Sequence, residues 1–576
     1  MIETSRSLGT ILLNDLWANH ATYKPGELAT LHLSVNNTKS VPQYVLVVIT
    51  VQWLDQTILS YQQQVDLAAG TQELHYPLAL PRESFRGYGV DVSLVAEDER
   101  VLAQRSIALD VLEDWTQAPR YGFLSDFLPG SDNAEAHVAA LARYHVNVVQ
   151  YYDWMWRHYD LLPREDTFVD GCGRTLSLLA VRKNIAACQQ RGMASMGYAA
   201  VYGAEPEYAL AHPEQMLYDE KGEPYSLEKL FYIMNIHEGN PWREQILTTM
   251  AEAVQKVPFD GLHLDQYGFP KENVFGPQPE RVAYDLEEDF PSFIDAARAA
   301  IRQAAPGTRV IFNAVENWPI KTVAPTSQDA TYIEVWPPYT SYLALQKLIL
   351  AAQRLAPTKQ VILAAYMKPL QHATGDDLLK AEAATLLTSA TIWASGGFHL
   401  LMGEQDGALC HPYYPEYAPL RPEFAAVMRR YYDFVVRYEN VLSDLALVTR
   451  GEEQPALYVQ GQESSLSGEA GKVWTITRSK PGVTTVSLIN LLDAKGSDWN
   501  EPKPLVQPLH AVQVEIPVTE AIDHIFVASP DQEEGRPQLL PYALVQRDQH
   551  TYARVCLSTL HYWSTIVLVT KTTIDK

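Results

Sequence analysis

Eight short apolar runs between residues 121 and 403 turn polar or aromatic at or just past their carboxyl ends and lead toward a stretch of helical periodicity. They are YGFLSDF (121–127), NVVQYYDW (147–154), ASMGYAAVYG (194–203), DGLHLDQYG (260–268), RVIFNAVEN (309–317), TYIEVWP (331–337), QVILAAYM (360–367) and GGFHLLMG (396–403). Segments such as SLLAVRKNIAACQQRG, PWREQILTTMAEAVQKV and FPSFIDAARAAIRQAA separate them and repeat apolar residues at helical spacing. Strand-then-helix alternation of this kind builds parallel sheets, and eight units predict a closed (β/α)8 TIM barrel over residues 113–440. No G-x-G-x-x-G follows any run, so a doubly wound dinucleotide fold lacks its phosphate loop.

The two ends follow another rule. Residues 1–112 alternate apolar and polar in short runs (ATLHLSVNN, YVLVVITVQWL, VDVSLVAED) separated by turn-prone YKPGE and NNTKS, which predicts an immunoglobulin-like β-sandwich. Residues 441–576 repeat the signature in KVWTITR, TTVSLINLL and STIVLVTK, predicting a second β-sandwich. The expected protein is therefore multidomain, as 576 residues require.

Composition narrows the partners. Forty-five basic against 69 acidic side chains give a formal charge of −24, which repels nucleic acid and anionic lipid. No apolar run reaches membrane-spanning length, so no membrane insertion is expected. The four cysteines, Cys172, Cys188, Cys410 and Cys556, lack ligand-like spacing and read as free thiols, with no metal site or cofactor implied. The start, MIETSRSLGTILLNDLW, lacks a basic, apolar export leader. A cytoplasmic location is expected for the chain as it stands, and a secreted one if a leader has been removed. Twelve Trp and 32 Tyr suit a neutral polyhydroxylated ligand.

Reactive groups of a TIM barrel gather at the carboxyl ends of its strands. Strand alternation turns His263 and Asp265 inward and gives Leu262 and Leu264 to the helices, and on the sixth run Tyr332, Glu334 and Trp336 face inward. Side chains of one barrel layer come from alternate strands, so Asp265 and Glu334 can meet over the fifth. Two facing carboxylates in an aromatic cleft suit glycosidic cleavage. Polar His263 and Gln266 are expected to favour ionised Asp265 as nucleophile, while Tyr332 and Trp336 desolvate Glu334 and keep it protonated as the general acid/base. Carboxyls about 5–5.5 Å apart would retain anomeric configuration, and a gap of about 6.5–9.5 Å would invert it.

Further candidate sugar contacts are Tyr198, His263, Gln266, Asn313, Trp336 and Tyr366. Asp153, Trp154 and His158 read either as sugar contacts or as a structural bracket of the second loop. Glu316 is a rival acid at the end of the fifth run, but alternation sets it opposite inward Asn313, as a loop ligand. Glu404 and Asp406, in GEQDGALCHPYYPEY, read as a ligand-lined loop or a calcium cradle. Asp260 reads as a turn anchor.

DGLHLDQYG, FNAVENW, YIEVWPP and QYYDWMWRH together resemble glycoside hydrolase family 66, which comprises endo-dextranases and cycloisomaltooligosaccharide glucanotransferases. The resemblance implies the sandwich–barrel–sandwich order, and it implies a retaining attack on α-1,6-glucan or isomaltooligosaccharides through a covalent glycosyl-enzyme. The family's nucleophile falls on Asp265 and its acid/base on Glu334. Residues 204–259 are too short for the carbohydrate-binding insertion common in cyclising members, so hydrolysis is expected over cyclisation. A non-catalytic glucan-binding protein and a barrel hydrolase of another linkage are the competing expectations. Endo or exo action and oligomeric state are not legible.

Overall fold

The computed structural model describes residues 11–451, 455–547 and 549–571; the leader reading at residues 1–10 lies outside them. Ahead of the barrel, β1 (Ile11–Ala18), β2 (Leu28–Asn37) and β5 (Gly70–Ala79) form one antiparallel sheet. A second, in the order β4-β3-β6-β7, joins β4 (Gln56–Leu67), β3 (Gln43–Trp53), β6 (Arg86–Val95) and β7 (Val101–Val111). Period-two alternation aims Leu31, Leu33 and Val35 of β2 into one buried cluster with Val47 and Ile49 of β3 and Val90 and Val92 of β6.

All eight expected barrel strands form: β8 (Tyr121–Leu124), β9 (Val148–Tyr151), β10 (Ala194–Ala200), β11 (Gly261–Asp265), β12 (Arg309–Val315), β13 (Ala330–Glu334), β14 (Val361–Ala364) and β15 (Phe398–His399). They pair in parallel and in chain order. A parallel bridge between Phe123 and Gly403 nearly closes the ring, with the Phe123 N–H donating to the Met402 carbonyl at 3.2 Å. At Gly261 a Cβ would stand 2.1 Å from the Arg309 carbonyl oxygen, so the start of β11 lies against β12 only because it carries no side chain.

Helices α1 (Ala134–Ala142), α2 (Leu178–Gln189), α3 (Pro241–Lys256), α4 (Leu286–Ala304), α5 (Ile320–Val323), α6 (Tyr342–Leu355), α7 (Gly375–Ala394) and α8 (Pro422–Arg437) follow the strands in turn. Caps start several of them: Asn240 accepts from the Trp242 N–H at 3.0 Å ahead of Pro241, and Asp285 accepts from the Glu287 N–H at 2.9 Å. Leu262, Leu264, Phe312, Ala314 and Ile333 pack outward into the helix layer. Met196, Ile311, Tyr332, Ile362 and Phe398 fill the barrel interior, with Leu112, Trp115 and Ala118 in the same cluster.

After the barrel, β16 (Val473–Lys480), β17 (Val483–Asn490), β19 (Ile522–Ala528) and β22 (Trp563–Thr570) belong to one sheet. β18 (Leu509–Pro517), β20 (Ala543–Arg547) and β21 (His550–Leu560) belong to another. Trp393 of α7 stacks on Trp563 of β22, ring centroids 6.3 Å apart, and fixes this unit to the barrel wall. No helix among the described residues is long and apolar enough to cross a membrane.

Candidate active site

A cleft of about 780 Å³ opens at the carboxyl ends of the barrel strands, within the usual size of a ligand site. Asp265 ends β11 and Glu334 ends β13, and Asn313 of the intervening β12 joins them. The Asn313 Nδ2 donates one hydrogen bond to Asp265 Oδ1 at 2.7 Å and one to Glu334 Oε2 at 2.7 Å. Those two bonds hold the nearest carboxylate oxygens within 2.7 + 2.7 = 5.4 Å of each other. Asp265 Oδ2 accepts from the Tyr198 hydroxyl at 2.7 Å, and Glu334 Oε1 accepts from the Trp336 indole at 2.9 Å and the Tyr366 hydroxyl at 2.8 Å.

Every one of these donors is neutral. Burial pushes the Asp265 carboxyl up to about 7, the Glu334 charge adds to the rise, and the Tyr198 and Asn313 hydrogen bonds oppose it. Burial likewise raises Glu334 against its three hydrogen bonds. Like charges this close share a proton, so the pair titrates as a unit near neutrality with one carboxyl protonated and one ionised. Of the two residues expected to favour ionised Asp265, Gln266 does so through its backbone N–H, which lowers the carboxyl, and His263 does not. His263 Nδ1 is engaged with the Tyr121 hydroxyl at 3.0 Å, and burial pushes the imidazole down to about 3, leaving it neutral under the pair. The Gln266 amide donates to the carbonyls of Asn313 and Trp318 at 3.3 and 3.2 Å, and its Oε1 accepts from the Gly268 N–H at 2.5 Å, so it braces the turn after β11.

One wall carries a charged network that only partly follows the sequence reading. Asp153 and His158 both line the cleft. Burial raises the Asp153 carboxyl, while Arg174, 3.7 Å from Oδ2, and His158 oppose the rise. Burial favours neutral His158, but Glu205 at 3.0 Å outweighs it and raises the imidazole. Arg174 and Glu205 were not among the expected site residues. They sit on connections far along the chain from Asp153, and no local pattern ties them to it. Tyr152, Tyr413 and Tyr414 also line the cleft, Tyr152 stacking on Tyr414 at 4.4 Å. HPYYPEY was a signal for Tyr413 and Tyr414, since adjacent tyrosines in a loop after the last strand put aromatic faces at the barrel mouth. Phe231, in the short strand Phe231–Ile233 of the third loop, also lines the cleft and packs on His158 at 4.2 Å.

Three expected contacts lie elsewhere. Trp154 is fully buried, donates from Nε1 to the Tyr198 carbonyl at 3.1 Å and packs on Phe259, in a turn beyond the end of β9 where Asp153 takes a positive φ of 46° and strand alternation no longer holds. Glu404 is fully buried at the seam that closes the barrel, accepting from the Ser125 hydroxyl at 2.7 Å and the Ser125 N–H at 2.9 Å. Asp406 accepts from the Tyr144 hydroxyl at 2.6 Å and pairs with Arg429 at 2.8 Å. Both acids therefore serve the α1–α8 side of the fold and not the cleft. Glu316 stands at the rim, paired with Lys271, and Asp260 anchors the Ser195 N–H at 2.8 Å at the other end of the barrel. Among the described residues no group of three or more His, Cys, Asp or Glu is placed to hold a metal ion.

A parallel eight-stranded barrel with two adjacent carboxylates in an aromatic cleft defines an enzyme of the glycoside hydrolase type. The sequence pattern of Glycosyl hydrolase family 66 matches residues 18–567, and the chain belongs to that family. Its relatives include a cycloisomaltooligosaccharide glucanotransferase of Niallia circulans, 24% identical over 96% of this chain and 72% of the relative. A dextranase of Streptococcus salivarius is 23% identical over 91% of this chain and 73% of its own. The crystal structure of a Paenibacillus sp. cycloisomaltooligosaccharide glucanotransferase complexed with cycloisomaltoheptaose matches with a TM-score of 0.88 at 21% identity, covering 97% of this chain and 100% of that one. That likeness shows a common fold.

Proposed function

We propose that the protein is a retaining glycoside hydrolase that cleaves α-1,6-glucosidic linkages of dextran or isomaltooligosaccharides. The observation that carries the reading is the single Asn313 amide bridging Asp265 and Glu334, because a separation bounded at 5.4 Å leaves no space for an inverting water between them. In the first step an Asp265 oxygen bonds to the anomeric carbon as the glycosidic C–O bond breaks, and Glu334 gives its proton to the departing oxygen. In the second, Glu334 takes a proton from water, and the water oxygen replaces Asp265 at the anomeric carbon. The Asn313 Oδ1 and the Tyr267 hydroxyl are buried without a hydrogen-bond partner and belong to residues lining the cleft, as sites awaiting sugar hydroxyls would be.

Linkage and substrate come from the relatives named as a dextranase and glucanotransferases. Hydrolysis is favoured by length. The alignment with the Niallia circulans relative runs over 701 positions, of which this chain fills about 553 (0.96 × 576), so the relative carries insertions that this chain lacks. Cyclisation is the second reading, because two of the relatives carry the glucanotransferase name. Dextran digestion followed by mass and NMR analysis separates the two. Hydrolysis yields linear products whose new reducing ends first appear as the α-anomer, and cyclisation yields products lighter by one water with no reducing end. Products first released as the β-anomer would overturn the retaining assignment, and activity on other glucans but not on α-1,6 linkages would overturn the substrate.

A further inference from the structure

The strand β4 differs from the others of the amino-terminal sheets, since every residue from Gln56 to Gln64 is exposed. It is an edge strand, hydrogen-bonded only to β3. The register sets Leu59, Tyr61, Gln63 and Val65 opposite Val51, Ile49, Val47 and Val45, which are buried. Opposed residues of an antiparallel pair project from the same face, so Leu59 and Tyr61 point to the core side of the sheet. They nevertheless remain 38% and 46% exposed. Tyr61 meets Tyr76 edge-on at 5.8 Å, and Tyr76 lies on β5, the edge of the facing sheet. The paired sheets are thus uncovered along one side.

Natural edges are blunted by lysine, proline, inward charge or bulges. The segment Leu59–Val65, LSYQQQV, contains neither charge nor proline. A register shift between Val51 and Gln52 passes over Ile58 and ends the regular stretch on one side, and Asp66 ends it on the other. On a chain of net charge −24, association between copies needs a surface where no carboxylates meet, and this segment supplies one. It is also self-complementary. A two-fold axis through Gln62 sets Leu59 against Val65, Ser60 against Gln64, Tyr61 against Gln63 and Gln62 against itself. The Tyr61 hydroxyl already donates to Gln63 Oε1 within one chain at 2.8 Å, so the same pair can be made between chains.

We propose that β4 is a self-association edge, pairing antiparallel with β4 of a second copy about an axis at Gln62 and joining two four-stranded sheets into one continuous sheet. The interface is isologous and closed, so it stops at the dimer. It buries Leu59, Tyr61 and Val65 of both copies and satisfies a row of free backbone groups.

Sedimentation of the full chain across micromolar concentrations tests this. Wild type should sediment as twice 64.7 kDa, and Gln62→Lys, which opposes two ammonium groups across the axis, should weaken the dimer roughly 100-fold or more with an unchanged circular-dichroism spectrum. Gln62→Cys treated with diamide should cross-link as a dimer, because directly opposed strand positions lie about 4.5–5.5 Å apart, within disulfide reach. Gln64→Cys and wild type, whose native cysteines stay as they are, should not. A wild-type monomer throughout the range, a dimer indifferent to Gln62→Lys, or equal cross-linking at positions 62 and 64 would each overturn the proposal. So would a monomer whose retention on a dextran gel falls on Tyr61→Ala, which would make the edge a sugar platform.

Discussion

Two buried groups of acids occupy opposite ends of the barrel, and their surroundings differ in kind. At the mouth, Asp265 and Glu334 share neutral donors and face a cleft. At the amino-terminal end, Asp110 and Glu439 flank Arg120, 2.6 and 3.7 Å from its guanidinium, and the three are at most 2% exposed. Arg120 also donates to the carbonyls of His145 and Ala118, tying the last strand of the amino-terminal sheets to the start of the barrel. Burial raises an acid at each end, Glu439 well above its ordinary value with Asp110 adding to the rise, yet only the lower end sets a cation, Arg120, against it. The mouth sets no cation against its acids, so in the proposed reaction they can meet the positive charge that a sugar develops at its anomeric carbon, whereas the same residue type below is held by Arg120.

Removing a carboxyl at the mouth should break the comparison most. Asp265→Asn and Glu334→Gln are each expected to lower kcat on dextran by ~10³-fold or more with the melting temperature kept or raised. Azide should restore turnover to Asp265→Gly with one anomer and to Glu334→Ala with the other, and retained activity in the parent variants would remove the pair from the chemistry. At the lower end, Arg120→Met should cost about 3–5 kcal/mol in urea unfolding by leaving two acids unpaired in the core. Combining it with Asp110→Asn and Glu439→Gln should recover much of that loss. If Arg120→Met alone is harmless, the lower group is not held by its cation.

The barrel was legible because buried parallel strands advertise themselves as short apolar runs and because the fold dictates which strand ends face the ligand. Alternation placed Asp265, Asn313, Glu334 and Trp336 around one floor, position at a strand end added Tyr366, and the structure brings them together. The rule stops at the strand end: adjacent Tyr152 and Asp153 both line the cleft while Trp154 is buried, because the chain turns after Tyr151 with Asp153 at a positive φ. Glu404 was not separable by pattern, since its burial depends on how the eighth strand meets the first, a contact between residues 279 apart in sequence. Charge balance was less legible still. His263 lies two residues from Asp265 on the same face, but its hydrogen bond goes down to Tyr121, and the carboxylate's partners come from β10 and β12.

Asn313 sharpens the comparison, because it is the neutral counterpart of Arg120. It lets two acids approach without supplying charge. Asn313→Ala should lower kcat about 10²-fold with little change in stability, since carboxyls released from a shared donor lose their reactive spacing. Asn313→Asp adds a third acid and should push the basic limb of the kcat–pH profile upward, because a further negative charge holds the proton on Glu334. A profile unmoved by Asn313→Asp would mean that the amide does not couple the two groups.

The smallest effect is thermal and has a definite sign. On folding, burial and the Glu334 charge raise Asp265 from its ordinary value of 3.8 to about 7, so the stability that comes with the proton shared by the pair is full below 3.8 and is lost as pH rises to about 7. Above that, the native protein carries the cost of the buried charge beside Glu334. Asp265→Asn does not titrate, so its melting temperature should gain on that of the wild type as pH rises between 3.8 and 7 and keep a constant lead beyond. Glu404, also raised to about 7 by burial, titrates in the same window but is common to both proteins and cancels in the difference. Parallel melting curves would show that the unbalanced charge at the mouth carries no cost, and the contrast with the Arg120 end would then lose its physical basis.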